Sequence, residues 1–96
     1  MNPSQNIQML FEDLHSNERS LRENARKQLI AHGPTILDQL TAIATDRRPI
    51  VRWEALKILI AIQDSAALPL LTIMLADEKS SIRWAARRQI ESLLKQ

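Results

Sequence analysis

A chain of 96 residues with 45% apolar and 25% charged side chains and a net charge of +2 has the proportions of one folded domain, 1–96, not of a disordered segment. The absence of Cys excludes disulfides, thiol catalysis and thiolate metal sites, and a single Gly excludes a glycine-rich phosphate loop. No run approaches the roughly 20 apolar residues a bilayer span needs.

Ala, Leu, Ile, Arg, Gln and Lys dominate, with no Tyr and one Phe, so the chain reads as all-α. The breaks are Asn2-Pro3, Ser16-Asn17, Gly33-Pro34, Asp46 to Pro49, Asp64-Ser65 and Asp77 to Ser81, and they bound six helical segments. Apolar residues recur in these segments at three- and four-residue spacing. The first carries Ile7, Leu10, Phe11 and Leu14, and the second Leu21, Ala25 and Leu29. The third carries Ile36, Leu37, Leu40 and Ile43, and the fourth Val51, Ala55, Ile58, Leu59 and Ile62. The fifth carries Leu68, Leu71, Met74 and Leu75, and the sixth Ile82, Ala86, Ile90 and Leu93. Pro69 falls one turn into the fifth, where a missing amide costs little.

A shift of 31 residues lays Leu37 on Leu68, Leu40 on Leu71, Asp46 on Asp77, Val51 on Ile82 and Ala55 on Ala86. A shift of 30 in the other direction lays Val51-Arg52-Trp53-Glu54-Ala55 on Leu21-Arg22-Glu23-Asn24-Ala25. These are three copies of a helix pair, approximately 4–32, 33–63 and 64–95. One pair cannot bury its apolar stripe alone, so a short right-handed α-solenoid of three stacked antiparallel pairs is expected.

The pattern Asp46-x5-Arg52 with Val51-Arg52-x-x-Ala55, repeated as Asp77-x5-Arg83 with Ile82-Arg83-x-x-Ala86, resembles the HEAT repeat. The stretch DSAALPLLTIMLAD, 64–77, closely resembles the short variant named after the phycobilisome lyases. Ser16 stands where the first copy should have its Asp, a departure that fits a terminal cap. The resemblance implies a scaffold that binds other proteins. Some members of that family serve bilin lyases and some grip DNA, so it carries a link to phycobiliprotein handling as an implication only.

In such a stack the turn Asp and the Arg opening the next helix can bond each other and the neighbouring turn. Asp46, Arg52, Asp77, Arg83 and Arg22 are therefore expected to form a structural ladder. Trp53 and Trp84 head the fourth and sixth helices in matching positions. At about 100° per residue each indole lies opposite its helix's apolar cluster, on the exposed side. Exposed Trp is enriched at binding hot spots. Two alternatives remain: a cation–π pair with Lys57 or Arg88, four residues on, or an indole tucked against the next helix by the curvature of the array.

Charge is segregated. All thirteen Lys and Arg fall in 17–33, 47–63 and 78–96, for a net of +8, whereas 4–16, 34–46 and 64–77 carry six acids and no base. A near-neutral total thus conceals one basic and one acidic side. Lys27, Lys57 and Arg88 occupy matching positions, as do Arg26 and Arg87, and with the Trp pair they form the candidate partner-binding patch. An acidic protein surface is the expected partner. A nucleic acid would suit the same patch, and self-association of acidic against basic sides is a further alternative. No catalytic constellation, metal site or cofactor motif is expected: His15 and His32 match no ligand spacing, and Glu12-Asp13 face partly apart. The reading is a non-enzymatic, cytoplasmic binding adaptor without a membrane segment, with the accessory subunit of a lyase as the competing role.

Overall fold

The structure is a computed structural model that describes residues 3–96, with side chains from Asn6 onward; Asn2 of the Asn2-Pro3 break lies outside the described residues. Six α-helices and no strand are found among those residues: α1 (Pro3–Asp13), α2 (Arg19–Ile30), α3 (Leu40–Ala44), α4 (Pro49–Ile62), α5 (Leu68–Met74) and α6 (Ser80–Leu94). Each odd-numbered helix packs on the even-numbered helix after it, and α2, α4 and α6 lie side by side in a row. The all-α solenoid-like stack measures 39 × 27 × 18 Å. None of the described helices is long and apolar enough to cross a membrane.

The row is closely packed because Ala25, Ala55 and Ala86 put a methyl group at the equivalent site of each second helix, and all three are fully buried. Around them Leu14, Leu29, Leu40, Val51, Ile58, Leu59, Leu71, Met74 and Ile82 make one continuous core. Burying such side chains stabilises the fold by about 1.5–3 kcal/mol each. Leu21 and Leu75, expected on core faces, are 39% exposed. Both belong to the first and third pairs, each of which meets one neighbouring pair among the described residues.

The expected third helix is not a single α-helix. Residues Gly33–Ile36 form a 3₁₀ turn, and i to i+3 bonds continue through Leu37, Gln39 and Leu40 before α3 begins. The third pair behaves similarly, with a 3₁₀ turn at Ser65–Ala67 ahead of α5. The tighter coil still places Ile36, Leu37, Leu40 and Ile43 inward, because it repeats every three residues. Gly33, at φ +64°, makes the left-handed turn out of the first pair. Gln63 makes a comparable turn, at φ 54°, without the freedom of glycine.

The second helices start alike. Glu18, Arg48 and Lys79 take nearly the same extended N-cap conformation, and none caps with its own side chain. The polar group two residues earlier does the work. Ser16 Oγ accepts the amide of Glu18 at 3.0 Å, Asp46 Oδ1 that of Arg48 at 2.8 Å, and Asp77 Oδ1 that of Lys79 at 2.9 Å. Ser16 thus makes the same turn as the two Asp residues.

Candidate partner-binding face

The Arg that follows each turn reaches back to it. Nη1 of Arg22 donates to the Ser16 carbonyl at 2.9 Å, and Nη1 of Arg52 to the carbonyls of Asp46 and Arg47 at 2.9 and 3.1 Å. Nη1 of Arg83 does the same to Asp77 and Glu78, at 2.7 and 3.1 Å. Arg is needed here because these turn carbonyls have no helical partner and one guanidinium edge can satisfy two of them.

The opposite edge of each guanidinium differs. Arg52 crosses to the third pair and grips Asp77 through both oxygens, with Nε to Oδ2 at 2.6 Å and Nη2 to Oδ1 at 3.0 Å. Both side chains are buried. Burial would raise the Asp77 carboxyl. The Arg52 hydrogen bond, the Lys79 amide and the Arg52 and Arg83 charges outweigh that and hold it below the usual carboxylate value. The hydrogen bond to Asp77 raises the Arg52 pKa in turn.

Arg22 does not meet Asp46. Its Nε lies 3.5 Å from Glu54 Oε2, in ion-pair range, and makes no hydrogen bond. Asp46 is instead approached by His15 Nε2 at 3.5 Å and by Arg48 Nε at 3.4 Å, while Arg48 Nη1 donates to the His15 carbonyl at 3.0 Å. Burial pushes the Asp46 carboxyl up, but the Arg48 amide and guanidinium and the His15 charge bring it below the usual value. The ladder is therefore continuous from Arg52 to Asp77 and interrupted between Arg22 and Asp46.

Glu54, which sequence reasoning passed over, is the hub of the first joint. It is 2% exposed and draws in Arg26 Nη1 at 2.6 Å, Arg22 Nε, and Lys57 Nζ at 3.7 Å. Arg26 must be taken out of the exposed patch: a buried carboxylate needs close cations, and this one holds Arg26 in the interface. Lys57 is also turned toward Glu54, though it remains exposed. The sequence did hold a signal, since Glu54 is the one acid among the cations of 47–63.

The two indoles differ as well. Trp53 is half-buried and packs against the core, where Arg19, Arg22 and Glu23 of α2 join it with Ile50, Glu54 and Lys57 around a shallow cleft of about 420 Å³. Its expected exposure is corrected: the helical wheel measured the angle from α3 and took no account of α2 alongside. Trp84 is 62% exposed, and the Arg88 guanidinium carbon lies 5.0 Å from the centre of its ring. Ile60, Ala85, Gln89 and Ser92 complete a cleft of about 330 Å³ beside this stacked pair. Gln89 is buried there, and its Nε2 has no hydrogen-bond partner.

Of the remaining patch residues, Arg87 is exposed and pairs with Glu91 at 3.3 Å, one turn on. Lys27 is exposed in the last turn of α2, where a cation suits the helix dipole. The structure thus brings Trp84 and Arg88 together on α6, leaves Arg87, Lys57 and Lys27 exposed on the second helices, and withdraws Arg26 and much of Trp53. On the opposite row α1 and α3 leave between them an apolar groove of about 560 Å³, lined by Ile7, Phe11, Ala42 and Ile43 and edged by Glu12 and His15. No group of three or more His, Asp or Glu suited to a metal occurs among the described residues.

No curated protein sequence matches the chain. The family profile of HEAT repeats matches residues 7–91, which takes in all three helix pairs. With paired helices stacked side by side and an Arg at the head of each second helix tied to its own turn, the chain belongs to the HEAT-repeat family.

Proposed function

We propose that this chain is a non-catalytic scaffold that docks an acidic protein surface on its second-helix row, with Trp84 and Arg88 as the anchor. HEAT repeats commonly act as protein-interaction scaffolds. The observation that carries the reading is the exposure of Trp84, 62% open beside a partly apolar cleft even though it stacks on Arg88, the pairing set out above as the alternative to a partner. An indole left in water is an unusual use of a large apolar side chain, and Trp and Arg dominate binding hot spots. The binding unit is the whole stack of repeats 4–32, 33–63 and 64–95, located in the cytoplasm. Arg87, Lys57 and Lys27 steer the partner in, and desolvation of Trp84 holds it. The likeness of 64–77 to lyase-type repeats directs the search for that partner toward phycobiliprotein handling, including a lyase that this chain would assist.

The test is a nuclease-treated pull-down with wild type beside Trp84→Ala/Arg88→Ala, with retained proteins identified, purified and titrated. A discrete acidic protein bound at least about tenfold more tightly by wild type supports the scaffold, since one good hot spot contributes about 2 kcal/mol. Binding that disappears on nuclease treatment and falls steeply with salt overturns it in favour of a nucleic-acid module, in which the indole stacks a base.

A further inference from the structure

The second helices close up on Ala25, Ala55 and Ala86, but α1 and α3 spread apart and barely touch. The gap between them is the apolar groove of about 560 Å³. Ile7 and Phe11 of α1, half-buried and resting on the core, line it together with the buried Ile43 of α3. Gln8, Glu12, Gln39 and Ala42 also line it and are exposed, so the groove is open to solvent. Both of its sides belong to this chain and meet at an internal joint of the stack.

Stacking does not account for Phe11. A shift of 30 residues lays it on Thr41, and a further 31 on Thr72, and both threonines are exposed. A position left to water in two copies thus carries the single Phe of the chain in the other. The charge around the groove is one-sided as well. Residues 4–16 and 34–46 contain no Lys or Arg, and Glu12, Asp13 and Asp38 meet no cation at ion-pair distance among the described residues. His15, at the edge of the groove, is already engaged, with Nδ1 3.0 Å from the Phe11 carbonyl and Nε2 3.5 Å from Asp46 Oδ2.

We propose that the groove between α1 and α3 docks a basic amphipathic helix of a partner protein, whose apolar residues cover Ile7 and Phe11 and whose Lys or Arg meets Glu12. Ile7, Phe11 and His15 lie four residues apart along α1, a stripe about 12 Å long. Two turns of a partner helix, with anchors at three- and four-residue spacing, match that length. The apolar lining calls for an apolar face, and the uncompensated carboxylates select cations beside it and turn away an acidic helix. A second copy of this chain is a poor occupant. Its Lys and Arg lie on the second helices and the turns beside them, and those helices keep Leu29, Ile58, Leu59 and Ile82 in its own core. The site lies on the first-helix row and shares no residue with the Trp84 face.

The test is an NMR titration of the full chain with a helical peptide of about 14 residues, Leu on one face and Lys on the other. One control peptide has the same composition in an order that scatters the leucines, and a second has Glu in place of every Lys. The Leu-Lys helix is expected to bind at least about tenfold more tightly than either control and to shift the amide signals of Phe11, Glu12 and Ala42. Phe11→Thr, the side chain of the two matching positions, and Glu12→Lys should each weaken binding at least about fivefold, while Trp84→Ala leaves it unchanged. Circular dichroism checks that the variants fold, and the exposed Glu12→Lys decides if Phe11→Thr does not. Equal binding of the scattered peptide, amide shifts confined to the second helices, or no effect of Glu12→Lys overturns the proposal. A dimer in light scattering that Phe11→Thr dissociates also overturns it and gives the groove to a second copy.

Discussion

The joint between the first and second helix pairs and the joint between the second and third solve one problem with different chemistry. Each must fix two helix pairs in register across a seam of alanines and branched apolar residues, which specifies proximity better than direction. The second joint uses the ladder, one Arg52 fork on one Asp77 carboxylate. The first gathers Arg22, Arg26 and Lys57 around the buried Glu54, and Asp46 is left to His15 and Arg48. Each joint thus holds one nearly buried carboxylate facing at least one buried guanidinium. Which position supplies the carboxylate is free to vary, because a buried guanidinium needs a close counter-charge from whichever residue faces it.

The largest effect should come from breaking the first joint. Glu54→Ala leaves Arg22 and Arg26 without a counter-charge and is expected to destabilise the fold by about 3 kcal/mol, read by urea unfolding. The second joint should yield less. Asp77→Asn retains the side-chain oxygen that accepts the Lys79 amide but loses the bidentate pair, for about 2 kcal/mol. If Asp77→Asn proves the more costly, the ladder and not the Glu54 cluster is the main strut.

Acid sharpens the same comparison. The Asp77 carboxyl is held below its unfolded value by Arg52 and Lys79 despite burial, so its contribution is present above the unfolded carboxylate value of about 4. That contribution is lost as pH falls through the lower folded value. Asp77→Asn should therefore show a shallower loss of stability below about pH 4 than wild type in acid titrations followed by circular dichroism. An unchanged acid limb would mean that Asp77 is not depressed in the fold.

The two joints should also be independent. Glu54→Ala and Asp77→Asn combined are expected to sum within about 0.5 kcal/mol, although Arg52 and Glu54 share α4. A larger discrepancy would make the two joints one network. The smallest effects concern the indoles: Trp53→Ala should cost about 1.5 kcal/mol as half-buried apolar area is lost, and Trp84→Ala less than about 0.5. In single-Trp variants, fluorescence from Trp84 should lie to the red of that from Trp53. The reverse order would put the anchor on the wrong helix.

Much of the stack was legible because burial repeats along the chain. The 31-residue shift aligned Ala55 with Ala86 and Leu40 with Leu71, and all four are fully buried. The Arg positions were legible too, since each Arg serves its own turn a few residues away. The destinations of their second edges were not. Arg22 and Arg26 end on a residue of the next pair, and no local pattern states which carboxylate will face them. The patch was overdrawn for the same reason. A helical wheel fixes an angle around one axis, whereas the exposure of Trp53 and Arg26 depends on how closely the neighbouring helix lies.

By itself the sequence determined that this protein is helical, repeats three times, turns at Ser16, Asp46 and Asp77, and keeps its Lys and Arg to the second helices and the turns beside them. Those properties follow from local propensity and periodicity, which act over a few residues. Tertiary structure alone decided that Glu54 is the hub of the first joint, that Asp46 pairs with His15 and not with Arg22, and that Trp84 stands out while Trp53 lies down. Each of these depends on the separation of groups about 25 or more residues apart in the chain. Coulombic and desolvation energies are set by that separation, and spacing along one helix does not encode it.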